Sequence, residues 1–548
     1  MSLFDRILAA RGLSDKDKAA FLSPDYSTVN DPFLLPDMDK AVDRLVLAYQ
    51  KRDHITIYGD YDIDGLTATA LLMDTFHSFG FQNVEVFIPN RFVEGYGLTV
   101  DAVEKIAADG AQLIITVDCG SLSHKEVARA NELGVDVIVT DHHNVAPEQP
   151  AAVAVINPKR PDSKYPFSDL AGVGVAFKLV QALQIKFNDS PETSSGLPFG
   201  QEKWLLDLVA LGTVCDIVTL VGENRTNVFW GLKVLAKAKR PGLKALMAIA
   251  KIESDKINAR SLGFGLGPRM NAAGRLETAQ HALDMLITQD SMAALEKAEY
   301  LDDLNMSRRI DQAKIVKEAI IQADNLAADP VLVVSSKDWN HGIVGIVASK
   351  LLEKYHKPTF VLQEMGDESK GSARSYGDFS AAAAIIYSKD IITKGGGHTL
   401  AAGVTLPTKN IADFRSRVNE FYQSLKLGDQ SSLLLPKADT TADLDELTED
   451  LVDQISQLEP FGNGNPQPIL KTDDLIVVNL RKMGSDGQHI KLELKNSANK
   501  KLQFLAFSAP DYFFVNPGAH ISVWYHLDIN EWQGRRSVEG RLLHLEII

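Results

Sequence analysis

HITIYGDYDIDGLTATALLMDTFHSFG, residues 54–80, decides the fold. HITIYGD is a β-branched run ending in polar residues, and GLTATALLMDTFHSFG (65–80) carries helical apolar spacing closed by a glycine. The same rhythm recurs downstream. VEVFIP (84–89), QLIITVD (112–118) and VDVIVTD (135–141) read as further strands separated by helical stretches, the pattern of a parallel sheet with crossover helices.

Acidic residues sit where these strands stop. GDYDIDG places Asp60, Asp62 and Asp64 directly after the first strand, TVDCG (116–120) delivers Asp118, and VTDHH (139–143) delivers Asp141, His142 and His143. LGTVCDIV (211–218) adds Asp216, grouped with the other three as a fourth strand-end cluster although helical spacing resumes around 204–216. Ligands of open α/β sheets bind at the carboxyl ends of parallel strands. Carboxylates crowded there repel one another unless a multivalent cation neutralises them. A single aspartate at such a place is usually a helix cap or a turn, so the weight rests on the four clusters occurring together. Carboxylates with one or two imidazoles suit Mn²⁺ or Mg²⁺, and two cysteines in the whole chain exclude a thiolate-rich zinc site. Adjacent residues at a strand end point opposite ways, so His142 and His143 are not expected to share one ion. Cys119 and Cys215, each beside a motif aspartate, read as small apolar fillers.

The 548 residues suggest three or four domains. A net charge of −15 excludes a bulk electrostatic nucleic-acid coat, so any nucleic-acid site must be a local basic groove. Two cysteines, no signal-peptide core and no apolar run of membrane-spanning length give the expectation of a soluble cytoplasmic protein. Residues 188–200 read as a Ser-, Pro- and Gly-rich loop, and 291–329 contain neither glycine nor proline. At 1.5 Å per residue that second stretch predicts a connecting helix of about 58 Å. Another α/β unit follows: VLVVSS (331–336), a helix over 342–355, TFVLQE (359–364) and a Gly-rich stretch at 395–403. After residue 436 come an acidic helical segment (443–460), the turn-rich FGNGNPQP (461–468) and short strands with a hairpin at NSAN (496–499), which fit a small β-barrel such as an OB-fold. The expected organisation is a helical segment 1–50, a parallel-sheet domain 51–288, the connecting helix 289–329, a second α/β domain 330–436 and a barrel 437–548.

In this order, GDYDIDG, VDCG, TDHH and LGTVCD resemble the four motifs of the DHH phosphoesterase superfamily. GPRMNAAGRL (267–276) and GSARS (371–375) are similar to motifs of its RecJ branch, GGGHTLAAG (395–403) to the DHH-associated domain, and the C-terminal texture to that branch's OB-fold. The resemblance implies a 5′→3′ exonuclease on single-stranded DNA in repair and recombination, releasing 5′-mononucleotides with two Mn²⁺ or Mg²⁺ ions. It implies Asp62, Asp64, Asp118, His142 and Asp216 as metal ligands, Asp118 bridging, with Asp60, Asp141 and His143 orienting ligands or moving protons. It further implies substrate contacts from Arg91, Tyr96, Arg269, Asn271, Arg275, Ser372, Arg374, Gly397 and His398. Three consecutive glycines in GGGH suit a backbone passing close to a ligand. Lys491, Lys495, Lys500 and Lys501 accompany Phe504, Phe507, Trp524, Tyr525 and Trp532, a mixture by which OB-folds stack and hold single strands, with most of these aromatics expected in the core. Implied partners are single-stranded DNA, a single-stranded-DNA-binding protein and a RecQ-type helicase, around a monomer. The competing readings are a phosphodiesterase for short oligonucleotides or cyclic dinucleotides, a pyrophosphatase, and a non-catalytic scaffold.

Overall fold

The strands that bear the aspartates lie side by side. The computed structural model describes residues 1–95, 97–189, 200–428, 430–532 and 534–548. The chain forms two units, Met1–Asp302 with Pro436–Ile548, and Asp303–Leu435.

In the first unit, β1 (Ile55–Tyr58), β2 (Val84–Phe87), β3 (Leu113–Val117), β4 (Asp136–Thr140) and β5 (Ala154–Ile156) form a parallel sheet in the order β2-β1-β3-β4-β5. The short β5 escapes the sequence reading because three residues carry no period. Strand order reverses at β1, so the crevice at the sheet's carboxyl edge opens between β1 and β3, the usual ligand position in such sheets. Every residue of β1 and β3 is buried, which explains their unbroken apolar texture. The helix Ile63–Phe79 begins before the expected residue 65 because Asp62 caps it, accepting from the Asp64 and Gly65 N–H groups at 2.9 and 3.1 Å. The helices Gly172–Asp189 and Leu206–Cys215 pack against it. Residues 190–199 of the expected loop lie outside the described residues.

A single helix, Ser291–Asn325, carries the chain into the second unit. There β6 (Leu332–Ser336), β7 (Thr359–Met365), β8 (Glu368–Arg374), β9 (Lys394–Gly397) and β10 (Ala401–Pro407) form a mixed sheet in the order β6-β7-β8-β10-β9. The glycine run is an exposed edge strand paired with β10. Its glycines are there partly for packing: a Cβ on Gly395 would lie 2.6 Å from Ile385, and one on Gly397 2.6 Å from the Ala401 carbonyl, whereas Gly396 opens onto free space.

Back in the first unit, β11 (Thr440–Thr441), β12 (Leu470–Met483), β13 (His489–Lys495), β14 (Lys501–Ala506), β15 (His520–Trp532) and β16 (Arg535–Ile547) complete the fold. The last five close into a barrel through β12–β15 pairing, with β14 and β16 parallel, the OB arrangement. NSAN makes the expected hairpin between β13 and β14. Phe504 and Tyr525 are core, Phe507 is exposed, and Trp524 carries Lys471 over its ring; the Trp532 side chain lies outside those described. Leu3, Phe4, Ile7 and Leu8 of the N-terminal helix Leu3–Ala10 belong to the barrel's core, whereas Arg44 of the helix Met38–Lys51 pairs with Asp53 and Asp136 of the α/β layer. The first fifty residues therefore serve two cores.

Candidate metal centre

Three turns and one helix end converge on the crevice. Asp60 and Asp62 leave β1, and Asp64 sits in the first turn of the helix that Asp62 caps. Asp118 follows β3 with φ 62, a left-handed conformation that swings its carboxylate inward. Asp141, His142 and His143 follow β4. Asp216 corrects the strand-end expectation, since it terminates the helix Leu206–Cys215. Around His142 Nε2 lie Asp118 Oδ1 at 3.1 Å, Asp216 Oδ2 at 3.5 Å and Asp64 Oδ2 at 3.8 Å.

The ligand atoms form overlapping groups, each spanning no more than 4.8 Å: Asp60, Asp62 and Asp118; Asp64, His142 and Asp216; and Asp118, His142 and His143. Asp118 and His142 each occur in two. His143 lies near His142 even so, because β4 ends at Thr140 and a loop is not bound by a strand's two-residue period. Buried Asp60 Oδ1, Asp118 Oδ1 and His142 Nε2 make no hydrogen bond of acceptable geometry. Buried polar atoms are ordinarily satisfied, so unpartnered oxygens facing an imidazole fit a donor set built for divalent cations.

Electrostatics agrees. Burial first, then repulsion from Asp64, Asp62, Asp60 and Asp216, holds the Asp118 carboxyl well above the ordinary range. Burial and the neighbouring Asp62 likewise raise Asp60 strongly and push Asp64 up to about 7. Asp216 is pushed up to about 9 by burial and by Asp64 and Asp62. His142 is held down to about 4 by burial, leaving a neutral imidazole ready to ligate. Asp141 behaves oppositely. Burial would raise it, but the His143 ring and the N–H groups of Ser121, His142 and His143 all hydrogen-bond it, and its carboxyl falls well below the usual range. His143 Nδ1 lies 2.9 Å from Asp141 Oδ1, so this pair fixes the ring.

Residues that pattern reading missed hold the ligands. The helix Gly172–Asp189 points its first N–H groups at Asp64: Gly172 N to Oδ2 at 2.6 Å and Val173 N to Oδ1 at 2.8 Å. A Cβ on Gly172 would fall 2.6 Å from Asp118 Oδ1, so only glycine fits. The signal was the GVG at 172–174, a glycine pair opening a helix. Asn157 bonds the Ser121 hydroxyl and the His143 carbonyl, bracing both loops.

Of the expected substrate contacts, Arg91 is at the site. Its guanidinium lies 4.2 Å over the Tyr61 ring, its Nε is buried without a partner, and its charge opposes the rise of Asp60. Tyr96 lies outside the described residues. Arg269, Asn271 and Arg275 share the helix Gly267–Leu276, where Gly267 meets Cys215 and Gly274 meets the Tyr61 carbonyl. Arg269 is engaged through Nε by Asp302 at 2.8 Å and through Nη1 by the Gly265 carbonyl at 2.7 Å. In the second unit, Ser372 lines an open depression of about 450 Å³ with His341, Lys370, Lys394 and Gly396. Arg374, Gly397 and His398 cluster beside it on β8, β9 and the following turn, with Arg374 half-buried and bonded to the Ala373 carbonyl.

Residues 54–213 match the DHH family, N-terminal domain, 328–424 the DHHA1 domain, and 438–544 the RecJ OB domain. The single-stranded-DNA-specific exonuclease RecJ of Escherichia coli is 35% identical over 524 residues, 92% of this chain and 89% of that protein. The chain belongs to the RecJ family. The Bacillus subtilis RecJ is 37% identical over 535 residues, 97% of this chain, which spans 66% of that longer relative. The crystal structure of the Thermus thermophilus RecJ in complex with Mn²⁺ superposes with a TM-score of 0.82 at 28% identity, covering 99% of this chain and 77% of that one. A second RecJ structure, bound to manganese, gives 0.63 at 32% identity over 72% of this chain and 96% of the other. RecJ membership accounts for the parallel sheet, the second α/β domain and the barrel together. Among the described residues no helix is long and apolar enough to cross a membrane.

Proposed function

We propose that this RecJ-family chain hydrolyses single-stranded DNA from its 5′ end and releases 5′-mononucleotides. The observation that carries the proposal is the buried, unpartnered cluster around Asp118 and His142. Asp62, Asp64, Asp118, His142 and Asp216 would hold two Mn²⁺ or Mg²⁺ ions, with Asp118 shared. Bound there, such ions lower the pKa of a coordinated water and stabilise the attacking and leaving oxygens of an in-line displacement.

The chain's own residues do the rest. Asp141 fixes His143, whose ring borders Asp118 at 3.8 Å and can pass a proton at Nδ1 or Nε2. Asp60, whose buried Oδ1 has no hydrogen-bond partner, would orient ligands or assist proton transfer. Arg91, Asn271 and Arg275 offer donors to the strand in the first unit, and Ser372, Arg374, Gly397 and His398 in the second, where guanidinium and exposed backbone amides suit a phosphate. The test is incubation with Mn²⁺ and single-stranded DNA labelled at either end, beside duplex, circular single strands, a dinucleotide and pyrophosphate. Mononucleotides should appear first from the 5′ end of linear single strands. Release from the 3′ end, or cutting of circles, overturns the polarity; turnover of pyrophosphate alone overturns the substrate class.

A further inference from the structure

We infer that Asn463, in the FGNGN turn before the barrel, is a positioning residue for Asp216, so that the barrel domain holds one wall of the metal centre in register. The inference rests on reading Asp216 as a metal ligand.

Ile217 directly follows Asp216 and sits at φ 62, a left-handed conformation that a β-branched residue adopts only when its surroundings impose it. Its own packing does not impose it, since the residue is 70% exposed. Two contacts hold it: on the helix side the Ile217 N–H donates to the Val214 carbonyl at 3.3 Å, the left-handed closure common where helices stop, and on the far side stands Asn463. Its Nδ2 donates to the Ile217 carbonyl at 2.8 Å, and its own carbonyl accepts from the Leu220 N–H at 2.7 Å, so one residue brackets the loop from both ends. The turn seats against the loop without spare room: a Cβ on Gly462 would lie 2.6 Å from Leu220 Cδ1. The turn is itself fixed from behind. Gly462 and Asn465 exchange backbone hydrogen bonds at 2.9 and 3.1 Å, and Asn465 is held by the Leu458 and Pro460 carbonyls and by Arg11 at 2.6 Å.

Beyond the loop the path continues toward a second ligand. Asp169 Oδ2 accepts from the Thr219 N–H at 3.1 Å and from the Thr219 hydroxyl, and Asn224 Nδ2 ties the Asp169 and Thr219 carbonyls together. Asp169 lies three residues before Gly172, whose N–H holds Asp64. The barrel's turn therefore reaches Asp216 through one peptide, and Asp64 through Thr219 and Asp169. Asp216 ends its helix, so the helix holds it on one side and the loop that Asn463 braces borders it on the other. Released from Asn463, the loop from Ile217 to Leu220 would shift, and the carboxylate 3.5 Å from His142 would lose that support.

The experiment compares Asn463→Ala, Asp216→Asn and the double variant Asn463→Ala with Ile217→Gly in the full chain. Mn²⁺ affinity is read by calorimetry, and the melting temperature in EDTA is taken alongside. Partners that orient metal ligands change affinity by about 10–100-fold. Asn463→Ala should weaken Mn²⁺ binding about tenfold while the KM for long single strands stays as in the parent. Glycine adopts left-handed φ without help, so Ile217→Gly should restore most of the lost affinity, a rescue that a merely structural role for Asn463 does not produce. Should Asn463→Ala not fold, Asn463→Asp removes the same Nδ2 donor while keeping the backbone carbonyl that holds Leu220, and it carries the same expectation for affinity. Unchanged Mn²⁺ affinity in a folded Asn463→Ala, or in Asn463→Asp where that variant stands in, overturns the inference, as does a loss that Ile217→Gly leaves unrepaired. If Asp216→Asn itself leaves affinity intact, the ligand reading falls and takes the inference with it; if only Asp216→Asn weakens binding, the inference falls alone.

Discussion

Arg225→Met should loosen the barrel from the α/β layer by about 2 kcal/mol. Arg225 is 2% exposed and, among the described residues, has no carboxylate within hydrogen-bonding range; instead it donates to main-chain carbonyls. Nε and Nη2 reach the Phe21 carbonyl at 3.1 Å each, Nη1 reaches Leu458 at 2.8 Å, and Nη2 reaches Glu459 at 2.8 Å. Burial holds the group down to about 10 from an ordinary value above 12. At about 1.4 kcal/mol per pH unit, the standing cost of keeping that charge buried is about 3 kcal/mol. Methionine removes this cost but leaves the half-buried Phe21 and Glu459 carbonyls unpaired at about 1–3 kcal/mol each, while the Leu458 carbonyl keeps Asn465 Nδ2 at 2.8 Å. It also forfeits about 1 kcal/mol from the cation resting 3.9 Å from the Phe21 ring. The balance is a loss of about 2 kcal/mol. Urea unfolding followed by both far-ultraviolet dichroism and tryptophan fluorescence checks it. The variant should show a lower midpoint and transitions that no longer coincide, because the barrel and the sheet lose a shared clamp. An unchanged midpoint would refute the reasoning, since it would mean that the Phe21 and Glu459 carbonyls find equal partners elsewhere.

Asp118→Asn should abolish Mn²⁺-dependent hydrolysis yet raise the melting temperature in EDTA at pH 8, because one buried charge leaves a cluster of mutually repelling carboxylates; turnover at saturating Mn²⁺ would refute this. Without metal, stability should fall as pH rises from 6.5 to 9. Asp64 (about 7), Asp216 (about 9) and His143 (raised) hold protons in the fold that the unfolded chain has released, so the slope is negative, about 1.4 kcal/mol per pH unit for each proton involved. His142, held down to about 4, acts in the opposite sense only below 6.5. Urea midpoints in EDTA across that window read the slope, and a flat or rising curve contradicts it. Arg374→Ala should weaken binding of short single strands by about 1.5–3 kcal/mol with a smaller change in kcat, through loss of a charge-assisted phosphate contact; a fall in kcat alone would place Arg374 in the transition state.

What the sequence made legible was local. Four- and five-residue β-branched runs announce strands, and aspartates after β1, β3 and β4 announce the sheet's carboxyl edge, so Asp60, Asp62, Asp64, Asp118, Asp141, His142 and His143 could be grouped before any coordinates. Asp216 joined them by residue type: the helical spacing over 204–216 was legible, but the aspartate was grouped with strand ends, because helix Leu206–Cys215 is buried along most of its length and lacks the amphipathic stripe that marks a helix end. What stayed hidden depends on segments far apart in the chain. Arg225 reads as a surface arginine until residues 457–460 fold onto it. FGNGN reads as a plain turn until Ile217 lies beneath it. The tie between Arg269 and Asp302, 33 residues later, carries no mark in the sequence either.

Hydrogen-bond satisfaction divides the cluster more sharply than residue type can. Asp141 takes three backbone N–H groups and a ring nitrogen, and its low pKa records a carboxylate whose lone pairs are already committed. It can orient, but it has little left to give a cation. Asp62 commits Oδ1 to capping a helix and keeps Oδ2, while Asp64 has one N–H on each oxygen and keeps the remaining lone pairs. Asp118 and His142 present unpartnered atoms toward each other. A fold that satisfied all of these groups internally would be more stable without metal and useless with it. Leaving the central ones unsatisfied makes cation binding a stabilising event, and it supports the division between residues that hold ions and residues that hold those residues still.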